Sequence, residues 1–226
     1  MTAYAELAAA TNFSFLRGAS RPQDMVLTAI GLGLSGLGIA DRNTLAGVAR
    51  AWAALKSLRE DGLSPPTVIR QGGGPGEIAY VPNPLDDPDL REEIQRRAHD
   101  FKLAIGARLV FEDGAPEILA YPETRHGWGR LCRLLTKGNL RGRKGECRLR
   151  LPDLLADPEG LLLIVMPPAR LGGFDRVLGQ VSAAAPGSVW LGAAMTYRGQ
   201  DQRRLSALAG LSQTAGTPLI ATNDVL

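Results

Sequence analysis

The chain has 226 residues, 45% of them apolar, and its 26 basic against 23 acidic side chains leave a net charge of only +3. That is ordinary for a soluble globular protein of one large domain or two small ones, with no more than a slight basic lean toward nucleic acid. Aromatics at 5% argue against a surface built to stack single-stranded bases, two histidines argue against a histidine-rich metal centre, and no apolar run is long enough to span a bilayer. The N-terminus lacks the basic start of a secretory signal, and Glu6 and Asn12 interrupt its apolar run, so a cytoplasmic protein without membrane contact is expected. In that compartment Cys132 and Cys147 are not expected to form a disulfide.

In chain order, Tyr4 to Ala9 reads as a strand. Ser20 then stands as a helix N-cap, with Pro22 early in the helix and Gln23 at the capping-box position, and the helix runs to about Leu34. Gly36 to Ala40 is a second strand with Asp41 just past its end, and Thr44 to Arg59 is an alanine-rich helix. Residues 62–88, dense in proline and carrying a Gly72-Gly73-Gly74-Pro75-Gly76 run, read as a surface insertion. The glycine run lacks the Lys-Ser/Thr of a phosphate-binding loop.

Asp89 to Ala98 follows as a charged helix. Lys102 to Phe111 and Glu117 to Tyr121 read as two strands of a hairpin turned at Asp113-Gly114. Trp128 to Thr136 is helical, and Lys137 to Gly145 reads as a mobile loop. Leu161 to Met166, Val189 to Met195 and Pro218 to Ala221 are strands, alternating with helices over Asp175 to Ala184 and Gln200 to Ala215. Repeated strand–helix units predict a parallel sheet or barrel with helices outside, whose ligands meet the C-terminal strand ends. The chain stops just past a strand with no helix to cover it, which reads as a fragment of a longer protein.

Five stretches carry a family resemblance: AELAAATNFSFLRGAS (5–20), GLGIADRNTLAGVARA (36–51), KLAIGARLVF (102–111), RHGWGRLCRLLTKG (125–138) and PLIATNDVL (218–226). Together they resemble the PHP (polymerase and histidinol phosphatase) domain of C-family DNA polymerases, and most nearly that of the error-prone, damage-induced alpha-type polymerases. The resemblance implies an irregular seven-stranded (β/α) barrel, cut short at its C-terminal end and occupying residues 1–226, with 62–88 as an insertion. The full-length protein would be a DNA-directed DNA polymerase, a nucleotidyltransferase used in translesion synthesis and DNA repair. Its partners would be the remaining polymerase domains in cis, DNA and mutasome proteins, and Mg²⁺ would serve the downstream polymerase domain.

Metal-binding members of the family hold a cluster of metals on histidines and carboxylates at the strand ends, which activates water for phosphoester cleavage, sometimes in a proofreading exonuclease. Matched to that pattern, this chain has Ala8 and Ala10 at the two histidines of the first strand and Arg17 at the acid before Gly18. Asp41 is kept, but Arg42 replaces its neighbouring histidine. Arg108 stands for a glutamate, Glu117 for a histidine, and the final Asn-Asp-x-His becomes Asn223-Asp224-Val225-Leu226. The implied reading is a degenerate site, with no catalytic residues in this segment and no cofactor. Only a weak, mostly hydrated Mg²⁺ on Asp41, Glu117 and Asp224 is left as an alternative. The three arginines are expected to replace the metals electrostatically, pairing with Asp41 and Asp224.

Two rival functions are a metal-dependent phosphoesterase or 3′–5′ exonuclease and a stand-alone interaction module. His99 and His126 fall on no ligand position. Arg130, Arg133, Lys137, Arg141, Arg143 and Lys144 form a basic run expected to touch DNA phosphates or an adjoining domain.

Overall fold

Short apolar runs set the architecture: seven strands, hydrogen-bonded in the order in which the chain meets them, curl into an α/β half-barrel. The computed structural model describes residues 3–60, 88–195, 197 and 199–224, so most of the expected 62–88 insertion lies outside the described residues. Strands β1 (Ala5–Ala9), β2 (Gly36–Arg42) and β3 (Lys102–Leu109) are parallel. Strand β4 (Ile118–Pro122) runs antiparallel to both β3 and β5 (Leu161–Val165), and β5, β6 (Val189–Ala193) and β7 (Leu219–Ala221) are parallel again. The sheet is therefore mixed rather than parallel throughout, because the expected Asp113-Gly114 hairpin sits in its middle.

Among the described residues seven helices accompany the strands: α1 (Pro22–Gly31), α2 (Val48–Glu60), α3 (Pro88–Asp100), α4 (Arg125–Arg141), α5 (Leu151–Leu155), α6 (Phe174–Ala184) and α7 (Asp201–Ala215). Two expected starts move. Helix α1 is capped by Arg21 rather than Ser20, with Pro22 opening it, and it ends by Gly31 as the chain turns through Leu32 and Gly33. Helix α2 begins at Val48, four residues after Thr44. The greater correction is α4: the Thr124 hydroxyl accepts from the Gly127 amide at 3.0 Å and starts the helix early, and the helix continues through Lys137 to Arg141, most of the way into the expected loop.

Alternation along the strands sorts side chains onto two faces. Outside, Val26, Ile30, Leu37, Ile39, Leu55 and Phe101 form the core between β1–β2 and α1–α3. A larger outer core joins Leu109, Ile118, Leu163, Val165 and Leu191 to Leu131 and Leu135 of α4 and to Leu178 of α6. The concave inner face is packed by Ala8, Ala40, Leu119, Tyr121, Ile164 and Met166. Its first half is lined by small residues because Tyr121 reaches across from β4. A Cβ on Gly38 would lie 2.6 Å from the Tyr121 hydroxyl and one on Gly106 2.6 Å from its ring. The hydroxyl donates to the Leu7 carbonyl on β1, so one aromatic side chain braces opposite sides of the half-barrel.

Among the described residues no backbone ladder joins β7 to β1. The carboxylate of Glu6, itself buried, bridges that seam instead. It accepts from the Thr222 hydroxyl at 2.5 Å and the Asn223 amide at 2.7 Å beyond β7, and from the Ala8 amide and Tyr4 hydroxyl, each at 2.7 Å, on its own side. Four donors offset the cost of removing the charge from water.

Candidate functional site

The residues matched to the family metal positions gather at the C-terminal ends of β1, β2 and β3 and around the segment after β7. Asp41 ends β2 and is 1% exposed. One carboxylate oxygen accepts from the Thr11 amide at 2.8 Å and the Ser14 hydroxyl at 2.7 Å, and the other from the Thr11 hydroxyl at 2.8 Å. Gly47 leaves room for this arrangement, since a Cβ there would come within 2.8 Å of the carboxylate. The expected pairing of Asp41 with an arginine is thus overturned: hydroxyls and an amide from the β1–α1 loop reach it first, at no cost of burying a second charge.

Arg108 leaves β3 toward the concave side and is 5% exposed. One terminal nitrogen donates to Glu117 at 2.9 Å, and the other pairs with Asp224 and lies 3.5 Å from the Ala8 carbonyl. Burial disfavours its charged form, but hydrogen bonds and charge from Asp224 and Glu117 outweigh that, and its pKa moves upward. Of the three arginines, this one is buried and paired with carboxylates. Arg17 and Arg42 are exposed and, among the described residues, form no ion pair, although both border a small cleft with Ala10, Ser14, Arg108 and Glu117.

Ala8 and Ala10 are buried methyl groups without a lone pair, and Leu226 lies outside the described residues. The family's metal cluster does not fit this donor set. Glu117 and Asp224 face a guanidinium, Asp41 is spent on three donors, and no group of three His, Cys, Asp or Glu side chains converges among the described residues. Beside the site, a cleft of about 550 Å³ opens between Gly114–Glu117, Met166–Pro168 and the start of α6. Arg204 on its wall is held in place by donating to the carbonyls of Pro167, Pro168 and Ala169 at 2.8–3.2 Å, which fixes its guanidinium without neutralising it.

The basic run is sorted by the fold into two sets. Lys137 and Arg141 both bind Asp153 of α5, at 2.7 and 2.9 Å, and Arg130 meets Asp157 and Glu159 at 2.8 and 2.9 Å. Arg133, Arg143 and Lys144 remain exposed and, among the described residues, without an ion pair. His99 and His126 are exposed on α3 and α4, and both cysteines are free and half-buried. Sequence reasoning missed Thr11 and Ser14 as partners of Asp41, and Glu6 as the seam bridge. The signal was there only in part, as a buried-strand acid with no cation nearby in sequence.

A curled α/β barrel with its polar centre at the strand ends defines the class. Residues 6–198 match the family model described as the PHP domain, and the chain belongs to that family. Along its length it is 46% identical to the error-prone DNA polymerase of Rhodopseudomonas palustris (strain BisB5), over 99% of this chain and 17% of that one. It is 43% identical to the error-prone DNA polymerase of Brucella abortus biovar 1 (strain 9-941), over 100% and 18%, and 42% identical to that of Caulobacter vibrioides, over 99% and 17%. The chain thus spans less than a fifth of the length of these curated relatives.

Among solved structures it resembles an amidohydrolase from Chromobacterium violaceum, with a TM-score of 0.59, 12% identity and coverage of 99% of this chain and 87% of that one. A protein from Bifidobacterium adolescentis assigned as a metal-dependent phosphoesterase gives a TM-score of 0.58 at 13% identity, over 100% and 88%. At such identities the likeness speaks for the fold alone. No helix among the described residues is long and apolar enough to cross a membrane.

Proposed function

We propose that this PHP domain is catalytically inert and serves as a structural part of an error-prone DNA polymerase acting in translesion synthesis and DNA repair. The observation that carries the reading is the guanidinium of Arg108 set between Glu117 and Asp224. A fixed cation there does the cohesive work of a metal, bridging two carboxylates from different segments. It offers no open coordination position and no bound water of lowered pKa, which are what hydrolysis of a phosphoester requires. The domain needs no cofactor of its own; Mg²⁺ belongs to the polymerase domain that the longer relatives' names imply. The remaining polymerase domains are its partners in cis, with DNA and mutasome proteins engaged through the whole protein in the cytoplasm.

The test combines metal analysis with exonuclease and phosphoesterase assays in Mn²⁺, Zn²⁺ and Mg²⁺. The expected result is no bound metal and no turnover above background. Activity that disappears in Asp41→Ala would establish the rival phosphoesterase or exonuclease reading instead. In the full-length polymerase, Arg108→Ala is expected to lower both the melting temperature and the rate of primer extension.

A further inference from the structure

We infer that the β1–α1 loop is a docking prong for an acidic, apolar peptide segment of a partner protein, a role independent of the polymerase reading. Phe15 and Leu16, adjacent at the tip of this loop, are 83% and 89% exposed. Single exposed apolar residues are common, but here the backbone is committed to the display. Leu16 has φ +61, in the left-handed region that a branched side chain enters only at a cost.

The loop beneath is built rather than slack. Arg17 and Gly18 amides both donate to the Ser14 carbonyl, at 2.9 and 3.0 Å, and the Asn12 amide donates to Ser20 at 2.9 Å. The Thr11 hydroxyl accepts from the Phe13 amide, and the Ser14 hydroxyl accepts from the Arg42 amide at 3.0 Å while donating to Asp41. Gly18 packs against the Thr11 carbonyl with no space for a Cβ. Asp41, retained from the family site, is therefore a positioning residue for the prong. Among the described residues nothing covers Phe15 or Leu16, which leaves both free to enter a partner.

Charge names the occupant. Arg17 directly follows the tip and Arg42, whose amide donates to Ser14, stands at the loop's base; both are exposed and without a carboxylate partner among the described residues, while Arg50 stacks over Phe13 at 5.4 Å. A complementary partner supplies apolar side chains for Phe15 and Leu16 and carboxylates for the two arginines. Nucleic acid fits less well: phosphates would satisfy the arginines, but Leu16 has no ring on which a base can stack.

The test pans a phage library of random dodecapeptides against the full chain and measures recovered peptides by fluorescence anisotropy. Peptides combining Asp or Glu with Leu, Phe or Trp are expected, with binding weakened as salt rises. Affinity should fall about tenfold or more in Phe15→Ser/Leu16→Ser and in Arg17→Glu/Arg42→Glu, each checked for an unchanged circular-dichroism melt. Equal binding by the folded variants, or recovered peptides with no acidic bias, would overturn the inference. So would labelled single-stranded or duplex DNA binding through Phe15, or self-association through Phe15 seen in sedimentation.

Discussion

Two sets of carboxylates matched to the family's metal positions are stabilised in opposite ways. On the β1–β2 side, Asp41 is held by neutral donors, two hydroxyls and an amide. On the β3–β4 side, Glu117 and Asp224 share the fixed cation of Arg108. The chemistry of the replacement decides what each side can do next. Hydroxyls can turn to accept as well as donate, so the Asp41 network tolerates a change of charge. A guanidinium can only donate, and removing it leaves two anions facing each other.

The largest expected effect follows from that difference. Arg108→Ala should destabilise the fold by about 3 kcal/mol, read from urea unfolding, because both carboxylates lose their partner in a partly buried setting. A loss near zero would mean that water already satisfies them. Asp41→Asn should cost less, about 1–2 kcal/mol, since the amide keeps one acceptor and the Thr11 hydroxyl can reverse to accept from the new NH₂. If the two variants cost the same, the distinction between cationic and hydroxyl replacement fails.

Tyr121 lies between the two sides, and Tyr121→Phe should cost about 1 kcal/mol by leaving the Leu7 carbonyl without its donor. The smallest effect supplies a reference in which exposed cations meet a largely covered carboxylate. Arg141 and Lys137 hold the Asp153 carboxyl well below the usual carboxylate range. Its folded pKa is below its unfolded value of about 3.9, so the stabilisation is complete above that pH and is lost as pH falls through the folded value. Asp153→Asn should therefore lower stability at neutral pH, by about 0.5 kcal/mol for a pair whose cations are exposed, and flatten the acid limb of a stability-versus-pH curve.

Much of this was legible along the chain. Strand positions followed from apolar runs bounded by glycine and proline, and the hairpin followed from Asp113-Gly114. The positions matched to the family's ligand pattern were named from the sequence, and Asp41, Arg108, Glu117 and Asp224 lie at or near strand ends. What could not be read was which side chain would reach which. Asp41 meets Thr11 and Ser14 across 30 and 27 residues, and short hydroxyl side chains carry no charge to announce the pairing. Likewise the basic run looked free because its acids, Asp153, Asp157 and Glu159, lie beyond it and are brought back by α5 and the turn after it. Of the six, only Arg133, Arg143 and Lys144 stay without an ion pair among the described residues.

Glu6 has a kinetic consequence. Its bonds to Thr222 and Asn223 link residues 216 and 217 positions apart, so the loop they close is nearly the whole chain. Closing so large a loop is entropically late, after the local strand–helix units have formed. Such contacts are expected to form after the folding transition state and to weigh chiefly on the unfolding rate, which stopped-flow unfolding of Glu6→Gln would read. The seam acts as a clasp: weakening it leaves the protein folding at its former speed and opening sooner.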